Sequence, residues 1–415
     1  MPDISPAEQR RRLAELARVF LRLGLTGFGG PAATIAMMED EAVGRRRWLT
    51  RDHFLDLVGI TNLIPGANAA EMSLHLGHVR AGLPGLLVSG ACFILPAATL
   101  SALFAWAYVR YGALPQIESF LYGIKPVVLG IIFAALFRLG RPALKSAPLL
   151  AVALGVVALS YAGLNEVLAL FTGGLLGMLA LRRGLAAGGP SRGVSALSLL
   201  ALGPLNACPS LVRAMQARAQ QLAPASTLAH ASTLAPASTL APALWRLVLF
   251  LLKVGAVLYG SGYVLAAFLE GGLVRDYGWL TQRQLLDAIA VGQVTPGPLL
   301  STAAFIGYIL FGARGAALST AAIFAPSFVF VLSTTRLVPI LRRSAWAAAF
   351  LDAVNASSLA LMVIVTVRLG HAALIDWPAA LIAAAGALAV FRAKINSTWL
   401  VLAGGLAGWL IGLLA

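Results

Sequence analysis

The chain has 415 residues, of which 59% are hydrophobic and only 11% charged, and its mean hydropathy is +0.86. Soluble globular domains are about half apolar and about a quarter charged, so this composition excludes a soluble fold and makes the bilayer the protein's solvent. The formal net charge of +15 does not point to nucleic acid, because the Lys and Arg are spread among the loops, as the positive-inside rule requires.

In chain order, apolar windows long enough to cross a hydrocarbon core of about 30 Å fall near 16–38, 54–80, 84–108, 119–138, 147–163 and 165–183, then near 245–269, 285–310, 314–336, 346–368, 371–391 and 397–414. A weaker window at 194–212 adds a further candidate, giving 12 to 13 transmembrane spans. The first window lacks a small-residue cleavage site and runs into a repeated core, so it reads as a mature helix rather than a signal peptide. Cys92 and Cys208 lie in apolar surroundings and are too few for a disulfide framework or a four-thiolate site; no metal or cofactor is expected.

The chain repeats itself. An offset of 231 places Gly24 on Gly255, Gly29 on Gly260, Glu39 on Glu270, "WLT" at 48–50 on "WLT" at 279–281, Asp56 on Asp287, Asn62 on Gln293 and Pro65-Gly66 on Pro296-Gly297. The offset then slips to 230, matching Pro96 with Pro326 and "FLYGIK" (120–125) with "FLDAVN" (350–355). So many coincidences among rare residues indicate an internal duplication. The domains are therefore 1–183, a linker at 184–244 that holds the extra window and a low-complexity Ala/Pro/Ser/Thr hexad, and 245–415. Basic residues at 10–12, 138–145 and 182–183, against those at 336–343 and 392–394, share one side only if the second half is inverted. That arrangement puts Arg45, Arg46 and Arg47 on the far side. The fold class is thus an all-α polytopic membrane protein built of two inverted helical repeats.

Both halves carry a helix-breaking Pro-Gly pair inside an apolar stretch, "NLIPGANAAE" at 62–71 and "QVTPGPLLST" at 293–302. Irregular backbone at membrane depth is tolerated only inside protein or beside a water-filled cavity, and inverted repeats with broken helices are a frequent transporter design. The breaks, with Pro65, Gly66, Pro296, Gly297 and Pro298, are expected to offer backbone amides to an anion. Asn62, Asn68, Gln293, Thr295 and Ser301 flank them; they either hydrogen-bond a ligand or satisfy the freed backbone.

The segments "GLTGFGGPAA" (24–33), "WLT", 64–97 and 295–328 resemble the two-domain form of the chromate ion transporter family. The resemblance covers roughly 15–140 and 245–370, and its second half reads "GSG" (260–262) where the first reads GGP. It implies a prokaryotic inner-membrane protein that exports chromate at the expense of the proton-motive force, with Gly29, Gly30 and Pro31 near the substrate. Chromate is a tetrahedral oxyanion like sulfate, so the physiological anion stays open, as does the oligomeric state, a homodimer included.

A charge at a helix centre costs about 2.5 to 3.5 kcal/mol on insertion scales, so each one needs a partner, a cavity or a purpose. Lys125, in an apolar span and a substrate-binding candidate, is expected either to pair with Asp352 across the repeat interface or to snorkel to a helix end. Arg22 and Lys253, at near-equivalent positions, either complement an anion or anchor headgroups. Glu71, His75 and His78 share one helical face, and Glu71, His75 and Asp352 are the candidates for proton coupling or gating. Glu39 and Glu270, repeat mates among loop charges, read as solvated caps. The other functions weighed are an intramembrane zinc hydrolase built on Glu71, His75 and His78, and a flippase of lipid-linked anions. No GxxxxGK[ST] motif occurs, so an ion gradient is the expected energy source and no enzyme activity is expected.

Overall fold

The computed structural model describes residues 5–28, 30–112, 115–186, 237–259, 262–393, 395 and 397–414. Gly29, the window at 194–212 and most of the hexad repeat lie outside the described residues. The first half runs α1 (Pro6–Thr26), α2 (Gly30–Glu39) continued by a π turn (Asp40–Arg45), α3 (Arg51–Thr61), α4 (Asn68–Tyr111), α5 (Pro115–Ala143), α6 (Ala147–Tyr161) and α7 (Glu166–Ala186). The second runs α8 (Ala237–Val257), α9 (Leu265–Leu269) continued by a π turn (Glu270–Asp276), α10 (Gln282–Val294), α11 (Thr302–Arg343), α12 (Ala345–Ala373), α13 (Trp377–Leu388) and α14 (Ser397–Leu414). The halves match helix for helix, including a π turn after α2 and after α9; among the described residues the second half adds a further π turn (Ala389–Ala393) and two 3-10 turns (Gly262–Val264 and Leu299–Ser301).

The repeated "WLT" has a local cause. Thr50 Oγ accepts from the backbone N–H of His53 at 3.3 Å and so caps α3; Thr281 accepts from that of Gln284 at 3.2 Å and caps α10. Gln284 Oε1 reciprocates by accepting from the Thr281 N–H at 2.9 Å, which closes a capping box.

Neither α4 nor α11 is a straight rod. Gly82 (φ 65°, ψ −150°) interrupts α4 and Gly312 (φ 64°, ψ −155°) interrupts α11 at the equivalent point, in backbone geometry that favours glycine. The chain reverses at each. A Cβ on Gly77 would collide with the Gly85 carbonyl, and one on Gly307 with that of Gly315, so the two arms of each hairpin pack backbone to backbone.

Ion pairs fix the orientation. Arg22 lies 3.6 Å from Glu41 and Arg46 2.8 Å from Glu15, so α2 and its π turn run back along α1 instead of continuing it. Arg80 meets Glu15 at 3.0 Å and Gln9 donates to the Ala81 carbonyl at 3.3 Å, placing the α4 hairpin tip at that same face. Arg45, Arg46 and Arg47 therefore share the face of Arg12 and Arg80. The expectation that they lie on the far side fails because the window at 16–38 is a broken, returning pair and not a single crossing. In the second half Arg275 meets Glu166 at 2.6 Å and Asn165 donates to Asp276 at 3.2 Å, which puts that half's π turn at the end of the bundle where α7 begins. The two π turns thus sit at opposite ends, as inverted repeats require.

By length and apolar composition Asn68–Tyr111, Ile117–Ala143, Leu299–Ser333 and Ala345–Ala373 can cross a membrane, the first and third as hairpins folded at Gly82 and Gly312, and shorter apolar helices lie over α6, α7, α13 and α14. The protein is a multi-pass helical membrane protein. The windows at 16–38, 54–80, 245–269 and 285–310 each divide into two pieces.

Candidate functional site

The chain breaks twice in each half. After α3 it is irregular until Asn68, and after α10 it is irregular from Thr295 to Pro298. Proline supplies no N–H to continue a helix, and Gly66 (φ 140°) and Gly297 (φ 93°) take up the positive φ that follows. The other two breaks follow α1 and α8, a feature hidden from the sequence reading because Gly, Phe and Tyr keep those windows apolar. The breaks join across the halves. Gly66 donates its amide to the Leu258 carbonyl at 2.7 Å, and Gly297 donates to that of Gly27 at 3.0 Å, so neither glycine amide is free for an anion, contrary to the expectation from the sequence: each satisfies the break of the other repeat. Under the 231-residue offset these are the same bond made twice.

One of these junctions is hollow. Gly30 and Pro31 of the first half and Gln293, Thr295, Gly297 and Pro298 of the second line a cavity of about 30 Å³, walled also by Tyr263 and Ser397. That is room for about two waters. Gln293 is only 8% exposed; its Nε2 makes no close hydrogen bond among the described residues, although the Tyr263 hydroxyl lies near its amide. A buried amide donor left unmade costs about 1 to 3 kcal/mol, so an acceptor entering the cavity would relieve that cost. Thr295 donates to the Val291 carbonyl at 2.7 Å, while Ser101 reaches Thr295 at 3.4 Å and Ser301 at 3.2 Å, fixing the wall behind. Through Tyr263 and Ser397 the cavity adjoins a vestibule of about 800 Å³ lined by Phe28, Phe137, Phe391 and two cations, Arg138 and Arg141.

The other junction is filled by an acid. Glu71 is fully buried; its Oε1 accepts from Ser327 at 3.2 Å and its Oε2 has no partner. A Cβ on Gly66 would strike this carboxylate. One turn on, His75 is also buried, with Nε2 unpartnered. The same backbone junction thus holds an amide donor facing a cavity in one copy and a carboxyl plugging it in the other.

The sequence profile of the family described as chromate transporter matches residues 14–178 and 245–409, the two structural repeats. The chain belongs to the chromate transporter family. It is 32% identical over 410 residues to a chromate transport protein of Cupriavidus metallidurans, covering 97% of this chain and 93% of the relative. It is 30% identical over 401 residues to a chromate transport protein of Pseudomonas aeruginosa (94% and 91% covered), and 29% identical over 371 residues to a probable chromate transport protein of Synechococcus elongatus (89% and 88% covered). No solved structure matches the chain.

The remaining sequence candidates of this chromate transporter family member fall outside the cavity. Lys125 does not meet Asp352. Its Nζ lies 3.3 Å from Asp287 Oδ1, and Asp287 Oδ2 accepts from the Tyr108 hydroxyl at 3.0 Å. Inversion explains the correction: α12 starts at the face where α5 ends, so Asp352 pairs with Lys145 there, at 2.7 Å. Arg22 turns to Glu41, and Lys253 is exposed; neither lines the cavity. Asn68 donates to Asn62 at 2.7 Å, bridging the first break. Glu270 is no solvated cap: it is buried and accepts from Arg368 at 2.8 Å. The sequence reading missed Tyr263, Ser397 and Arg138. A signal existed for Arg138, because the 230-residue offset places it on another arginine, Arg368.

Proposed function

We propose that this chain carries a tetrahedral oxyanion, chromate or the sulfate it resembles, across the inner membrane, and that it exports chromate by coupling to the proton gradient. The names of the relatives support the substrate class. The observation that carries the reading is the buried Gln293 amide, without a close hydrogen bond, in a cavity walled by two helix breaks and reached through a vestibule whose charged lining is cationic. Such a cavity suits an acceptor-only guest, since the Gln293 side-chain amide would donate to its oxygens while the arginines raise its local concentration. Inverted repeats meeting at the middle of the bundle favour alternating access over catalysis, so the chain is read as a carrier and not an enzyme. Glu71, buried at the equivalent junction beside His75, supplies a titratable group for coupling.

The test is chromate uptake into everted vesicles, with and without a protonophore and with sulfate as competitor. Uptake that a protonophore abolishes and sulfate inhibits is the expected outcome. Uptake unaffected by collapse of the gradient would end the coupling claim, and no uptake would end the substrate claim.

A further inference from the structure

Arg138 and Arg368 hold the same position in the two repeats, 230 residues apart. The cavities around them are also repeat mates: Ile131, Ala134 and Arg138 line one, and Leu361, Ile364 and Arg368 line the other. Their contents differ. The first is the open vestibule of about 800 Å³, and Arg138 has no ion-pair partner among the described residues. The second has shrunk to about 10 Å³ around a network in which Arg368 donates to Glu270 at 2.8 Å and Arg275 to Glu166 at 2.6 Å.

Arg138 is exposed near the end of α5, where a cation either reaches the headgroups or finds an acid. The second repeat supplies Glu270, whose repeat mate Glu39 is instead held by Arg51 at 3.2 Å. Arg138 is therefore the copy left without its carboxylate, in the copy of the cavity that is open. Because the repeats are inverted, the open vestibule faces the end of the bundle where α5 finishes, and the shut one faces the end where α7 begins.

We propose that Arg138 binds the oxyanion in the open vestibule before it passes Tyr263 and Ser397, and that Arg368 is the corresponding anion-binding residue of the opposite face, masked here by Glu270. The proposal rests on the oxyanion reading above. A guanidinium presents a planar fork that matches two oxygens of such an ion, a geometry an ammonium lacks. An arginine that merely anchored the helix at the headgroups would act on neither affinity nor sidedness.

The test uses the full chain in proteoliposomes of defined orientation, with initial rates of radiolabelled sulfate and chromate uptake measured from each face. Arg138→Gln is expected to raise KM at its own face at least about tenfold, with kcat changed less than about twofold and the salt dependence of KM flattened, while KM at the other face holds. Arg138→Lys is expected to recover only part of the loss, and Arg368→Gln to show the mirror-image effect. A KM within twofold of wild type at both faces, or an equal rise at both, overturns the proposal. Wild-type proteoliposomes that carry neither anion would remove the oxyanion reading itself and this proposal with it.

Discussion

The amide of Gly66 lies 2.7 Å from the carbonyl oxygen of Leu258, and 231 residues on the amide of Gly297 lies 3.0 Å from that of Gly27. Each bond crosses from one repeat to the other at membrane depth, where an unmade backbone group costs several kcal/mol, so each half satisfies a break in its partner. Alanine at either glycine meets a positive φ worth about 1 to 3 kcal/mol of strain. The added methyl differs in its neighbours: at 297 it would lie 3.0 Å from Ala97 Cβ, and at 66 it strikes the Glu71 carboxylate. Gly297→Ala is expected to fold with reduced transport, and Gly66→Ala to lose folded protein as well. Thermal unfolding in detergent with vesicle transport checks both; equal, wild-type stability for the two variants would contradict the interlock.

Gln293 offers the sharpest test of the cavity. Its Nε2 is buried without a close hydrogen bond, and on the proposed reading the oxyanion is its acceptor. A hydrogen bond to a charged group is worth about 1.5 to 3 kcal/mol, so Gln293→Ala is expected to raise the KM for chromate by roughly ten- to a hundredfold. Gln293→Glu, which replaces the donor by a carboxylate, is expected to abolish transport near neutral pH. Kinetics of both in vesicles decide it, and a Glu variant with wild-type KM would remove Gln293 from the site.

Lys125 and Asp287 join α5 of the first repeat to α10 of the second, the helix that ends at the cavity. Breaking a buried pair on one side strands a charge at a cost of about 3 to 5 kcal/mol, whereas replacing both by apolar residues is often nearly neutral. Lys125→Met is therefore expected to lower the unfolding midpoint sharply and Lys125→Met with Asp287→Leu to recover most of it. A double variant as unstable as the single one would show that Asp287 is not the partner that matters.

Composition and repeat made the fold legible, because a 231-residue offset holds wherever the backbone demands the same residue: Thr50 and Thr281 cap, Gly66 and Gly297 turn, and Pro65 and Pro296 interrupt. The returning path of α1 and α2 was not legible, since hydropathy measures how apolar a window is and not whether it crosses or doubles back. The Lys125 partner was misassigned for a related reason: repeat alignment shows which positions are equivalent, while contacts between inverted copies join non-equivalent ones. Gln293, Thr295 and Pro298 were found as residues beside a break. Tyr263 and Ser397 reach the cavity from elements distant in the chain and carry no local mark.

Glu71 and Ser327 make one hydrogen bond, with the second carboxyl oxygen unpartnered. Glutamine preserves size and can still accept from Ser327, but it cannot exchange a proton. Glu71→Gln is expected to leave chromate movement down its own gradient intact and to make it indifferent to a protonophore. Counterflow and protonophore assays on the same vesicles separate the two properties. A variant as protonophore-sensitive as wild type would assign coupling elsewhere.

Arg47 and Gly278 are repeat mates, both exposed and both at positive φ (51° and 62°), in the loops that follow the two π turns. Inversion puts them at opposite ends of the bundle, the first beside Arg46 and Glu15, the second beside Asp276 and Asn165. Single cysteines there, Arg47→Cys and Gly278→Cys in a chain carrying Cys92→Ala and Cys208→Ala, are expected to react with a membrane-impermeant maleimide from opposite sides of intact cells or everted vesicles. The positive φ at 278 makes cysteine cost about 1 to 2 kcal/mol there, which the arginine at the matching position already tolerates. Labelling of both from the same side would mean that the repeats run parallel, and with that the paired junctions at Gly66 and Gly297 would lose their structural basis.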